Sequence, residues 1–203
     1  MSSPLLPENL YPITAKGHLD RAIYLLDKHV KENPLQYALY AALELRNAIE
    51  RLLFEYLVLI HGAENVSKKM ENIYTAKELH KRIDAVEPEL EQKISFMNLF
   101  LRANGLPPAV VPDLTALTRL YGQLNNYLHA WKRPENTAQN PDYWKGFWSI
   151  LDETQGMLTQ ILRMSMQHMR LEGKGLALYE AWKQDKLSDE EVIQAFRESR
   201  DSS

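Results

Sequence analysis

The chain has no cysteine among its 203 residues. That excludes a disulfide framework, a thiolate metal site and a cysteine nucleophile, and it fits a reducing compartment. Long apolar runs are missing as well. The longest, Leu52 to Ile60, is broken by Glu55. It falls short of the roughly 20 residues that span a bilayer, so no membrane partner is expected. The opening MSSPLLPENL has neither a basic n-region nor an apolar h-region, so no secretory signal is expected and the expected setting is cytoplasmic. Glycine is sparse, at 8 residues, and no phosphate loop, dinucleotide fingerprint or G-x-S-x-G elbow occurs. His18, His29, His61, His80 and His168 show no paired ligand spacing, so neither metal nor cofactor is expected. Neither sign of charge is in excess. The net charge is −3, and residues 180–203, with seven acids against four bases, account for all of it. A strongly basic nucleic-acid binder is thereby disfavoured, while a local basic patch stays open.

Leucine, by contrast, occurs 31 times against 7 valines, a bias toward helix over strand. No alternating apolar run, internal repeat or low-complexity tract appears. Apolar periodicity and stop signals predict helices over about 14–31, 35–61, from Thr75 on, 87–103, 113–132, 142–170, 176–184 and a capped one after Ser188. Thr75 with Glu78 and Ser188 with Glu191 have capping-box spacing. The expected fold is all-α: an antiparallel helical bundle around a long central apolar helix, residues 14–172. A short C-terminal helical extension, 173–203, follows.

At 1.5 Å per residue the 35–61 helix is roughly 40 Å long. Turning about 100° per residue, with Arg46 at zero, it places Leu39, Ala42, Leu43, Leu53 and Leu57 within about 60°. Glu50 falls at about 40°, so Arg46 and Glu50 sit inside an apolar stripe. Glu44, Arg51 and Glu55 fall on the opposite side and read as a solvated face. A buried ion pair broken on one side costs about 3–5 kcal/mol, which is the expectation for Glu50→Ala. The pair reads either as a structural bridge or as part of a pocket that holds another polar group.

The 113–132 helix carries a core stripe of Leu117, Leu120, Tyr121, Leu124, Tyr127, Leu128 and Trp131. Its far face holds Thr118, Gly122, Asn126, His129 and Arg133, with Asn125 at the flank. Asn125, Asn126, His129, Lys132 and Arg133 can donate hydrogen bonds to an anion or a nucleic-acid backbone. The same residues also read as a plain solvated face. On the 142–170 helix, Trp144, Phe147, Trp148, Leu151, Leu158 and Leu162 share one side, as a core stripe does. The late methionines Met157, Met164, Met166 and Met169 suit a buried end or an adaptable contact surface.

The stretch LELRNAIERLLFEYL, with Arg46 and Glu50, resembles the first long helix of HEPN-like bundles. LYGQLNNYLHAW, residues 120–131, resembles a later helix of that superfamily, and Leu124 to His129 resembles the leucine, polar, polar, tyrosine, aliphatic, histidine string of related bacterial bundles of unknown function. The resemblance covers residues 20–170. It implies either a metal-independent RNase or a non-catalytic RNA-binding or scaffold protein, commonly a homodimer with a cleft near the histidine. The RNase motif is an arginine, a polar residue, then a histidine four to six residues on. Here His129 and Asn125 or Asn126 match, while Arg119 lies ten residues before His129. Arg46 or Arg133 would have to supply the charge in space. Two functions stay open: RNA binding or cleavage with His129 and Asn126 as candidate catalytic residues, and a dimeric scaffold that docks a protein.

Overall fold

The computed structural model describes residues 13–32, 35–67, 70, 75–109, 112–129, 140–163 and 171–201. The fold is all-α, and no strand occurs among the described residues. The helices are α1 (Ala15–Glu32), α2 (Leu35–His61), α3 (Ala76–Val86) and α4 (Leu90–Ala103). Then come α5 (Leu114–Leu128), α6 (Pro141–Arg163), α7 (Gly173–Lys183) and α8 (Asp189–Asp201). None of these is long and apolar enough to cross a membrane. The chain divides into two compact units, one of Met1–Ile83 with Pro112–Arg163 and one of Asp84–Val111 with Met164–Ser203.

In the first unit, α1 and α2 run antiparallel in the most extensive helix–helix contact among the described residues. The backbone N–H of Ala15 donates to Glu55 Oε1 at 3.2 Å, and Arg21 Nε donates to Glu44 Oε2 at 2.9 Å. Small residues let the two helices approach: Ala15 and Ala22 on α1, Ala41 and Ala48 on α2, all fully buried. The other side of α2 meets α5 and α6; Ile49, Leu53 and Leu57 of α2 and Leu117, Leu120 and Leu124 of α5 are fully buried. Helix α2 ends at Gly62, whose φ of 86° an L side chain rarely adopts. Gly146 has a different task. A Cβ there would come within 2.9 Å of the Tyr127 hydroxyl, so its bare backbone admits the tyrosine that joins α5 to α6. Tyr127 stacks on Tyr143 and Phe147, at 4.8 and 5.1 Å between ring centres.

The stripe expected on α6 faces inward, with Phe147, Leu151 and Leu158 buried and Trp144, Trp148 and Leu162 half-buried. Met164, Met166 and Met169 lie outside the described residues. Helix α3 opens on the expected cap. The N–H of Glu78 donates to Thr75 Oγ1 at 3.3 Å, and Thr75 Oγ1 donates to Glu78 Oε2 at 2.9 Å. Its Leu79 and Ile83 are buried, and His80 Nδ1 lies 3.1 Å from Thr118 Oγ1 of α5. Thr118, expected on the solvated far face, is therefore half-buried and in contact with α3.

The second unit is α4, α7 and α8 around Phe96. Its ring meets Tyr179, Trp182 and Phe196 at 5.4, 5.6 and 5.6 Å between centres, with Leu99, Ala103, Val192 and Ile193 completing the buried cluster. The apolar faces of residues 173–201, within the expected C-terminal helical extension, close on α4. Tyr179 is fully buried and donates to Glu89 Oε2 at 2.8 Å, and Lys183 pairs with the other oxygen of that carboxylate. Burial, with Glu89 adding to it, pushes the Tyr179 phenol well above its ordinary range. Helix α8 starts on a complete capping box: Glu191 N–H to Ser188 Oγ at 3.3 Å, and Ser188 N–H to Glu191 Oε2 at 2.7 Å.

Candidate functional site

The residues singled out in sequence fall at two places in the first unit. Arg46 and Glu50 face α5 and close a ring with Tyr121. Arg46 Nη2 donates to Glu50 Oε1 at 3.2 Å and to Tyr121 Oη at 3.1 Å, and Tyr121 Oη donates to the same Glu50 oxygen at 2.7 Å. The guanidinium also lies over the tyrosine ring, 5.1 Å from its centre. Arg46 Nε is buried and unpaired among the described residues. Burial lowers the tendency of Arg46 to hold its proton, but the bonds to Tyr121 and Glu50 outweigh it and keep the group above its ordinary pKa. Burial, then Glu50, raises the Tyr121 phenol. Arg46 stays a cation and Tyr121 stays protonated near neutrality, so neither can pass a proton there.

The pair lies at the margin of the α2 interface, not inside it. Its side chains keep 26% and 21% of their exposure, and Leu43, expected in the same stripe, is 37% exposed. The physical reason is that α2 is covered from two sides. Its buried arc runs through Ala38, Ala41, Leu45, Ala48, Ile49, Leu52, Leu53 and Tyr56, roughly 80° round from Arg46 at its centre. Glu50→Ala should therefore cost about 1 kcal/mol, nearer an exposed ion pair than the 3–5 kcal/mol of a buried one. A chemical-denaturation series on this variant checks the figure.

The opposite margin of the arc carries Glu44, expected on the solvated face, in a cluster with Arg21 and His18. Arg21 is nearly buried, with its side chain 8% exposed, and grips Glu44. His18 Nδ1 lies 2.7 Å from Glu44 Oε2 and 2.5 Å from Arg21 Nη2. That nitrogen can donate to the carboxylate or accept from the guanidinium, but not both at once. Burial pushes the Glu44 carboxyl up, yet the bonds from His18 and Arg21 win and hold it below its ordinary 4.5. The available signal in sequence was the spacing of His18 and Arg21, three residues apart on one face of a helix.

On α5, Asn125 is half-buried one turn beyond Tyr121, and Asn126 and His129 are exposed. His129 is the C-cap of α5, its N–H donating to Asn125 O at 3.1 Å. The helix had been expected to continue to 132; Lys132 and Arg133 lie outside the described residues. Gly122 is exposed, and a Cβ there would meet nothing within 4 Å. Tyr121 and His129 are eight residues apart, about 12 Å along α5, so the structure does not bring Arg46 to His129. Arg119, the arginine within α5, pairs with Glu153 of α6. Among the described residues no three His, Asp or Glu side chains cluster in a way that would hold a metal ion. No family model, curated protein or solved structure matches the chain.

Proposed function

We propose that this protein is a non-enzymatic helical interaction module that works as a homodimer and docks a protein partner. One observation carries this reading: Arg46 is committed to Glu50 and Tyr121, about 12 Å along α5 from His129. Metal-free RNA cleavage needs a proton-transfer group and a cation converging on one phosphate. The Arg46–Glu50–Tyr121 ring is then a clasp between α2 and α5, the structural reading of that pair.

The second reading, a HEPN-like protein that binds or cuts RNA, draws on the exposed Asn126 and His129 at the end of α5, just before Lys132 and Arg133 in the chain. There His129 would serve as general acid or base. The separating experiment incubates wild type and His129→Ala with total RNA in the presence of chelator. The expected result is neither cleavage nor a gel shift by either protein. Cleavage by wild type that disappears in His129→Ala and Asn126→Ala would overturn the proposal in favour of catalysis. A gel shift that both variants weaken, without cleavage, would replace the protein partner with RNA. His129→Ala should melt within a degree or two of wild type, because an exposed side chain leaves no cavity.

A further inference from the structure

We infer that the outer face of α2 is the surface on which a second copy of this chain docks, antiparallel, about a two-fold axis at Asn47. This rests on the homodimer of the reading above and gives it an interface. The face lies wholly within the first unit. With Arg46 at zero, Leu43, Phe54, Asn47 and Tyr40 fall at about 60°, 80°, 100° and 120°, opposite the buried arc of the helix. Tyr40 is 57% and Leu43 37% exposed, and Phe54 and Asn47 are half-buried. An apolar strip along a helix is normally turned toward a neighbour.

What covers this strip follows from its polar groups. The arginines and acids of α2 are all answered within the chain: Arg46 by Glu50, Arg51 by Glu55, Glu44 by Arg21. The face therefore offers no unbalanced charge to an acidic or a basic partner, and it suits a face as neutral as itself. At its middle, the Asn47 amide makes no hydrogen bond among the described residues. An amide both donates and accepts, so a copy of itself satisfies it. A single asparagine within an apolar helix seam also fixes the register. Tyr40 and Phe54 stand seven residues to either side of Asn47, about 10 Å each way along the helix. A two-fold axis perpendicular to α2 at Asn47 sets Tyr40 on the partner's Phe54 and Phe54 on the partner's Tyr40, since an isologous interface sets residue i on j and j on i. Two aromatic pairs then flank one amide pair, with Leu43 filling the space between them. Parallel copies would instead bring Glu50 beside Glu50 and Arg51 beside Arg51, like charge against like.

The full-length protein is examined by light scattering and sedimentation equilibrium at tens of micromolar. Wild type should show twice the chain mass of 23.6 kDa. Asn47→Asp and Asn47→Lys each set like charges against one another across the axis, and each should weaken the dimer by at least about tenfold. An equimolar mixture of the two should recover it as a heterodimer, because opposite charges then meet. Tyr40→Ala, at the most exposed position of the strip, should weaken the dimer as well. Circular dichroism checks that the variants keep their fold. A dimer indifferent to these changes, or Asn47 variants that stay apart on mixing, overturns the inference. So does a dimer that Gly122→Leu dissociates while the Asn47 variants leave it intact; the homodimer would then stand, with its interface on α5. A monomeric wild type removes the docking face and the homodimer together, but leaves the non-enzymatic reading to the RNA experiment. RNA cleavage by a dimer that answers to the charge at position 47 would do the reverse.

Discussion

Glu44→Ala is expected to destabilise the first unit by about 3 kcal/mol, at the lower end for breaking a buried ion pair, because Arg21 keeps other contacts. In a chain of this size that corresponds to a drop of roughly 6–12 °C in Tm. The charge left behind is the cause. Arg21 cannot lose its proton, and with its side chain 8% exposed it cannot turn to water. Glu50→Ala, the same substitution on the same helix, should cost about a third as much. Its partner Arg46 is 26% exposed and keeps Tyr121. Thermal melts of the two variants side by side decide the matter: an equal or larger loss in Glu50→Ala would show that the buried pair has been misassigned. The same carboxylate gives a pH dependence. Its folded-state pKa lies below its ordinary 4.5, so the unfolded chain takes up the proton first as pH falls. The stabilisation is full above 4.5 and is lost as pH drops through the lowered folded value. Glu44→Gln should remove that share of the acid sensitivity, leaving a shallower loss of stability below pH 4.5.

Phe96→Ala should have the larger effect on the second unit, about 3–5 kcal/mol from the lost burial and the cavity. Three edge or tilted ring contacts disappear with it, and such pairs add roughly 0.5–1.5 kcal/mol each beyond burial. Hydrogen exchange is the informative measurement. Protection should fall across α4, α7 and α8, while the amides of α2 keep theirs, since Phe96 belongs to the second compact unit. An equal fall in α2 would mean that both units unfold as one cooperative body.

How much of this could be read from the chain itself depends on how local the determining physics is. Leucine excess, helical spacing and stop signals are local, and they led to an all-α fold with helix limits close to the observed ones. Gly62 and Gly105, both at positive φ, and the caps at Thr75 and Ser188 act within a single turn, so residue type and spacing are enough to find them. The Arg46–Glu50 bond is likewise local, one turn apart on one helix.

Only the tertiary structure decided which side of α2 is inside. A helical wheel shows where apolar residues cluster, but not how many neighbours cover the helix. With α1 on one side and α5 and α6 on the other, the buried arc centres on Ala38, Leu45, Ile49 and Tyr56, away from the stripe around Arg46. That shift exposes Leu43 in part, moves Arg46 and Glu50 to the rim, and turns Glu44 from a surface acid into the partner of a buried arginine. Tyr121 completes its ring from 71 positions beyond Glu50, and α4 joins helices that begin 70 residues after it ends. Pairings over such separations are set by how the apolar faces close on one another, which no stretch of this sequence encodes by itself.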